Sequence, residues 1–132
     1  MREKAVDGLD SAQLELGVKY FNGEDIDTNY KKAFQWFNIA AQSSDSKFKG
    51  RALNNIGSCY ESGKGTRKDG DKAVEHYRKS AEEGCAMGQY NLAICYLNGT
   101  CGISKNEDIA FKYMKEASDQ GYLGAIYALA LM

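Results

Sequence analysis

Residues 52–84 read ALNNIGSCYESGKGTRKDGDKAVEHYRKSAEEG, and this stretch decides the fold because it recurs, altered, on both sides of itself. Ala52, Gly57, Tyr60, Gly63, Ala73, Tyr77 and Ala81 are answered by Ala12, Gly17, Tyr20, Gly23, Ala33, Phe37 and Ala41, each 40 positions earlier. Toward the C-terminus the matches are Gly88, Ala93, Tyr96 and Gly99 at a shift of 36, then Ala110, Met114 and Ser118 at a shift of 37. A period this long, with small and aromatic residues in register, is the signature of stacked supersecondary units. A chain of 132 residues has room for about three of them, each touching only its neighbours.

Each unit reads as two helices. Ala12, Leu16 and Tyr20, and again Ala52, Ile56 and Tyr60, recur at i, i+4 and i+8, which predicts one apolar stripe on the first helix. Gly17 and Gly57 interrupt those helices at about 1 kcal/mol each against alanine. The loss is offset if the missing side chain lets a second helix approach closely. The first helix is expected to stop at Gly23, Gly63 and Gly99, where glycine can take the left-handed conformation. Asn29, Asp69 and Asn106 then cap a second helix by accepting from its free amides. That helix carries Ala33, Trp36, Phe37, Ala40 and Ala41, or Ala73, Tyr77, Ser80 and Ala81, an aromatic among small residues. Such a face is packing surface rather than a cofactor box.

The predicted fold is therefore all-α, a solenoid of antiparallel helix pairs. Its units are 9–50, 51–86 and 87–122, with 1–8 closing a preceding unit and 123–132 supplying the first helix of a fourth. Ala5, Gly8 and Ala12 repeat the spacing of Ala81, Gly84 and Gly88, which predicts a helix boundary at Gly8. Ser43 to Lys49 holds the insertion that lengthens the first period, a surface loop or a one-turn helix extension around Phe48.

The composition, 43% hydrophobic and 27% charged with a formal net charge of −1, is that of a folded globular chain. Lysine and arginine cluster only in pairs, so no basic surface for nucleic acid is expected. Met1 to Lys4 leads into no apolar run, and the apolar segment from Gly121 to Met132 falls short of the ~20 residues needed to cross a bilayer.

Of the four cysteines, Cys59 and Cys95 occupy the same place in successive units, where stacked helices stand roughly 8–10 Å apart, too far for a disulfide. They read as small packing residues. Cys101 lies in a loop near Cys95, which leaves a bridge or a reactive thiol open there. No cysteine or histidine spacing fits a metal site. Catalysis is not expected either. His76 is the single histidine and stands where Trp36 and Tyr113 stand in the other units, as a packing residue near the surface. The run Gly63-Lys64-Gly65-Thr66 fails the phosphate-loop pattern, because Ser58 replaces the earlier glycine and Gly65 follows the lysine.

Three segments carry a family resemblance: Leu16-Gly17-x-x-Tyr20-x-x-Gly23; Lys32-Ala33-x-x-Trp36-Phe37-x-x-Ala40-Ala41; and Gly84-x-x-x-Gly88-Gln89-Tyr90-Asn91-Leu92-Ala93-x-x-Tyr96-x-x-Gly99. They resemble the Sel-one-like repeat, a relative of the tetratricopeptide repeat, over essentially the whole chain. The resemblance implies a right-handed superhelix that serves as a binding scaffold, its first helices lining the concave side. A cysteine-rich branch of that family bridges the helices of each unit with disulfides. Here Ala41, Ala81 and Ser118 stand where one partner would be, so that stapled form is not expected.

The expected function is a non-enzymatic scaffold that holds a protein or peptide on this concave face. The contact residues read from the exposed side of the first helices are Glu15, Val18, Asn54, Asn55, Ser58, Glu61, Tyr90, Asn91, Ile94 and Leu97. Amides among apolar side chains suit a partner's backbone and its buried area together. The competing reading for Tyr90 and Ile94 is packing between units. Two other roles stay open at this point: a spacer or regulatory appendage to an enzymatic or membrane region, or a small inhibitor of the immunity type. Self-association through the apolar segment from Tyr122 to Met132 is also expected.

Overall fold

The computed structural model describes residues 2–132, with side chains from Gly8 onward. Seven helices follow one another: α1 (Arg2–Asn22), α2 (Tyr30–Ala40), α3 (Ser46–Ser62), α4 (Gly70–Glu82), α5 (Ala86–Asn98), α6 (Glu107–Asp119) and α7 (Leu123–Leu131). Among the described residues there is no strand. α1 pairs with α2, α3 with α4 and α5 with α6, and each second helix also packs on the next first helix. This is an all-α solenoid of helix pairs.

Local chemistry sets the helix ends. The side chains of Asn29, Asp69 and Asn106 accept from the backbone amides of Lys32, Lys72 and Ile109 at 3.0, 3.1 and 3.0 Å. Gly63 and Gly99 close α3 and α5 in the left-handed region, at φ 71° and 65°. The insertion after α2 becomes helix. Asp45 caps α3 through a 2.8 Å bond from the Lys47 amide, and the added turn carries half-buried Phe48 onto the first core cluster.

Two expectations are corrected. α1 runs unbroken from Arg2 to Asn22, with no boundary at Gly8. Gly84 and Gly121 turn the chain at φ 81° and 84°, whereas Gly8 stays helical, so the matching spacing carries no matching turn. Residue Met1 lies outside the described residues. The stripe on α1 is also displaced. Ala12 is exposed and Leu14 is buried, because among the described residues no second helix lies before α1 to cover Ala12, while α3 packs beside Leu14. Trp36 is half-buried, where Phe37 is buried.

The core is a chain of three clusters. Leu14, Phe37 and Ile56 join α1 to α3; Val74, Tyr77 and Leu92 join α4 to α5; Ala93, Met114 and Ala125 join α5 to α7. A β-carbon on Gly17 would lie 2.6 Å from the Phe37 ring, and one on Gly57 would lie 2.7 Å from the Tyr77 ring. The glycines in mid-helix thus mark the points where each pair closes most tightly.

Candidate partner-binding groove

The first helices leave a groove of 1020 Å³ along one side of the solenoid. Leu14, Glu15 and Val18 of α1 form one wall, and Phe48, Arg51 and Asn55 of α3 form the next. Cys85 and Met87 at the start of α5, with Tyr122 just before α7, complete the far end. Charges of both signs, Glu15 and Arg51 among them, stand over an apolar floor. A smaller pocket of 210 Å³ continues from it, lined by Val18, Phe21, Asn22, Phe37, Asn55 and Ser58. Val18 and Asn55 line both.

The residues expected on this face do not all reach the groove. Glu15, Val18, Asn55 and Ser58 line the groove or its continuation. Asn54 is buried, and its side-chain oxygen accepts from the Asn91 amide at 2.7 Å, so these two join α3 to α5. Tyr90 packs against Tyr122 at 5.1 Å between ring centres, and Ile94 packs against the third cluster. Leu97 is half-buried. Glu61 is engaged by Tyr77, whose hydroxyl donates to its carboxylate at 2.6 Å and lies 3.3 Å from the Ser58 hydroxyl. Burial first, then the Glu61 carboxylate, hold the Tyr77 phenol far above its ordinary range.

Phe48, Arg51, Met87 and Tyr122 are groove residues that the repeat pattern did not flag. Met87 and Tyr122 flank turns, and Phe48 and Arg51 sit on or beside the inserted helical turn, whose direction no spacing rule gives.

His76 does not line the groove. Its ring is 5.3 Å from that of Tyr60, its Nδ1 is 2.8 Å from the Lys72 carbonyl, and it lines a polar cleft of 460 Å³ with Asn38, Lys49 and Lys79. Among the described residues no group of three acidic, histidine or cysteine side chains converges as a metal site. No helix among them is long and apolar enough to cross a membrane. Burial raises the Cys59 thiol to about 11 and the Cys95 thiol to about 12, and both are free thiols.

Stacked helix pairs with a groove along one side define a helical-repeat solenoid. The Sel1 repeat model matches residues 10–45, 50–85 and 86–122, and the chain belongs to the Sel1 repeat family. It is similar to a Sel1 repeat protein from Oxalobacter formigenes, with a TM-score of 0.85 and 34% identity over 96% of this chain and 49% of that one. The Helicobacter pylori cysteine rich protein B shares the fold at 23% identity, with a TM-score of 0.72 and 97% of each chain covered. Among curated proteins, chitin synthase regulatory factor 3 of Schizosaccharomyces pombe is 31% identical over 88 residues, 65% of this chain. The chain spans only 9% of that protein's length.

Proposed function

We propose that this chain is a non-enzymatic protein-interaction scaffold that holds an extended or helical segment of a partner in the groove between α1, α3 and α5. Sel1 repeats commonly serve as scaffolds for protein–protein interaction, which supports the general class. The observation that carries the finer reading is the continuity of the inner face. Val18 and Asn55 belong to both the large groove and its extension, so one ligand would touch successive units. Apolar Leu14, Val18 and Met87 offer buried area, Asn55 and Ser58 offer bonds to a backbone, and Glu15 and Arg51 set the direction of a charged segment. Asn54 and Asn91 act behind this surface by fixing the spacing of α3 and α5, with Tyr90, Ile94, Leu97 and Glu61 at its margin.

Selection of a displayed random peptide library on the purified chain tests this. The expected result is enrichment of a related set of peptides whose binding falls at least tenfold with Val18→Arg or Asn55→Arg, both variants keeping a cooperative melting transition. No enrichment, or binding indifferent to both changes, overturns the reading.

A further inference from the structure

The loop that follows α5 differs from its two counterparts in one residue whose placement the solenoid does not explain. Two positions after each closing glycine the backbone enters the left-handed region: Asp25 at φ 65°, Gly65 at 78° and Cys101 at 56°. Glycine fits there without strain and aspartate tolerates it, whereas cysteine belongs to neither class. Cys101 nevertheless occupies the position, and its thiol neighbours that of Cys95.

The surroundings hold the two side chains together. The Cys95 carbonyl accepts from the amides of both Gly99 and Thr100, the latter at 3.0 Å, which folds the loop back over the end of α5. Gly70 of α4 supports the loop from beneath, since a β-carbon there would lie 2.9 Å from the Cys101 α-carbon. Cys95 is buried, and Cys101 is partly open to solvent. In the second unit, whose Cys59 is the counterpart of Cys95, the equivalent loop position holds Gly65 and no second cysteine. Only the third unit therefore has a thiol pair.

We infer that Cys95 and Cys101 form an oxidation site, closing to an intra-unit disulfide that staples the α5–α6 loop to α5. With a small disulfide such as oxidised glutathione as oxidant, the accessible Cys101 thiolate attacks one sulfur. A mixed disulfide forms and one glutathione thiolate leaves. Deprotonated Cys95 then displaces the second glutathione and makes the Cys95–Cys101 bond. The cysteines lose two electrons and two protons, and the oxidant becomes two glutathione thiols. The closed form restrains a loop that rests on Gly70 and on Asp71, so it stiffens the junction between α4 and α5.

The test is to incubate the full chain with oxidised glutathione at mildly alkaline pH, alkylate it in denaturant and map it after chymotryptic cleavage at Tyr96, which separates the two cysteines. The expected product has lost two hydrogen masses, keeps Cys59 and Cys85 alkylatable, and joins the peptides on either side of Tyr96. It melts higher than the reduced chain by about 5 °C. Cys101→Gly abolishes the change while preserving the fold, and Cys85→Ala leaves it intact. Four alkylatable thiols, a lasting glutathione adduct on Cys101, or a bond to Cys59 or Cys85 would each overturn the inference.

Discussion

Gly57 of α3 lies flat against the ring of Tyr77 of α4, so close that a β-carbon would stand 2.7 Å from two ring atoms. Gly17 and Phe37 repeat the arrangement in the first unit. In the third unit both partners change. Ala93 replaces the glycine and Met114 the aromatic, and both are fully buried. A flexible thioether makes room for a methyl where a rigid ring cannot. Gly57→Ala is accordingly expected to destabilise by about 1–2 kcal/mol, overpacking exceeding the helix-propensity gain of about 1 kcal/mol. Adding Tyr77→Met should recover most of that loss. A double-mutant cycle from urea denaturation reads the coupling, and simple additivity would refute it.

A second matched pair sets the contact between units. Ser80 is wholly buried, donates to the Gly50 carbonyl at 2.7 Å and faces Gly88 of α5. The counterparts are Ala40 facing Ala52 and Ala117 facing Ala125, all fully buried. Ser80→Ala alone should cost about 0.5–1.5 kcal/mol by losing its buried hydrogen bond to the Gly50 carbonyl. Gly88→Ala should cost more, because its methyl would overlap the Ser80 side chain. The double variant restores the alanine pair of the other junctions and is expected to be more stable than Gly88→Ala alone. Thermal melts of the three variants check the order.

These pairs show what was legible in the sequence. Gly17, Gly57 and the capping residues Asn29, Asp69 and Asn106 announced the units because each answers a local demand that recurs every period. The groove was less legible. Asn54 and Asn55 are neighbours on one helix, yet one bonds to Asn91 between units and the other lines the groove. Which does which depends on the angle between α3 and α5, and periodicity says nothing of that. That Phe48 lines the groove is illegible for a related reason: its added turn has no counterpart in the other units to compare against.

Buried thiols give the fold a pH dependence of known sign. Burial raises Cys59 from 9.0 to about 11 and Cys95 from 9.0 to about 12. Above pH 9 the unfolded chain releases these protons while the folded chain keeps them, so the unfolded state is favoured. Their contribution is fully present below pH 9 and is lost progressively as the pH rises toward 11 and 12. Urea midpoints measured under reducing conditions should therefore fall more steeply between pH 9 and pH 11 for the parent than for Cys59→Ala with Cys95→Ala. Parallel curves would show that the thiols do not titrate with unfolding.

The outer face of α7 presents Leu123 at 63%, Tyr127 at 66% and Leu131 at 90% exposure. Ala130 of this helix holds the position of Gly57 and Ala93, the places that Tyr77 and Met114 cover in the other units, but it is exposed. An uncovered apolar strip of this kind favours association. The chain is expected to self-associate through α7, with a sedimentation coefficient that rises between roughly 10 and 300 µM, given the cost of ordering two partners over a small contact. Tyr127→Glu with Leu131→Glu should hold it monomeric across that range, and because both side chains are already exposed the melting temperature at low concentration should stay within about 3 °C of the parent. A parent chain that sediments as a monomer throughout would show that the strip is left open to solvent.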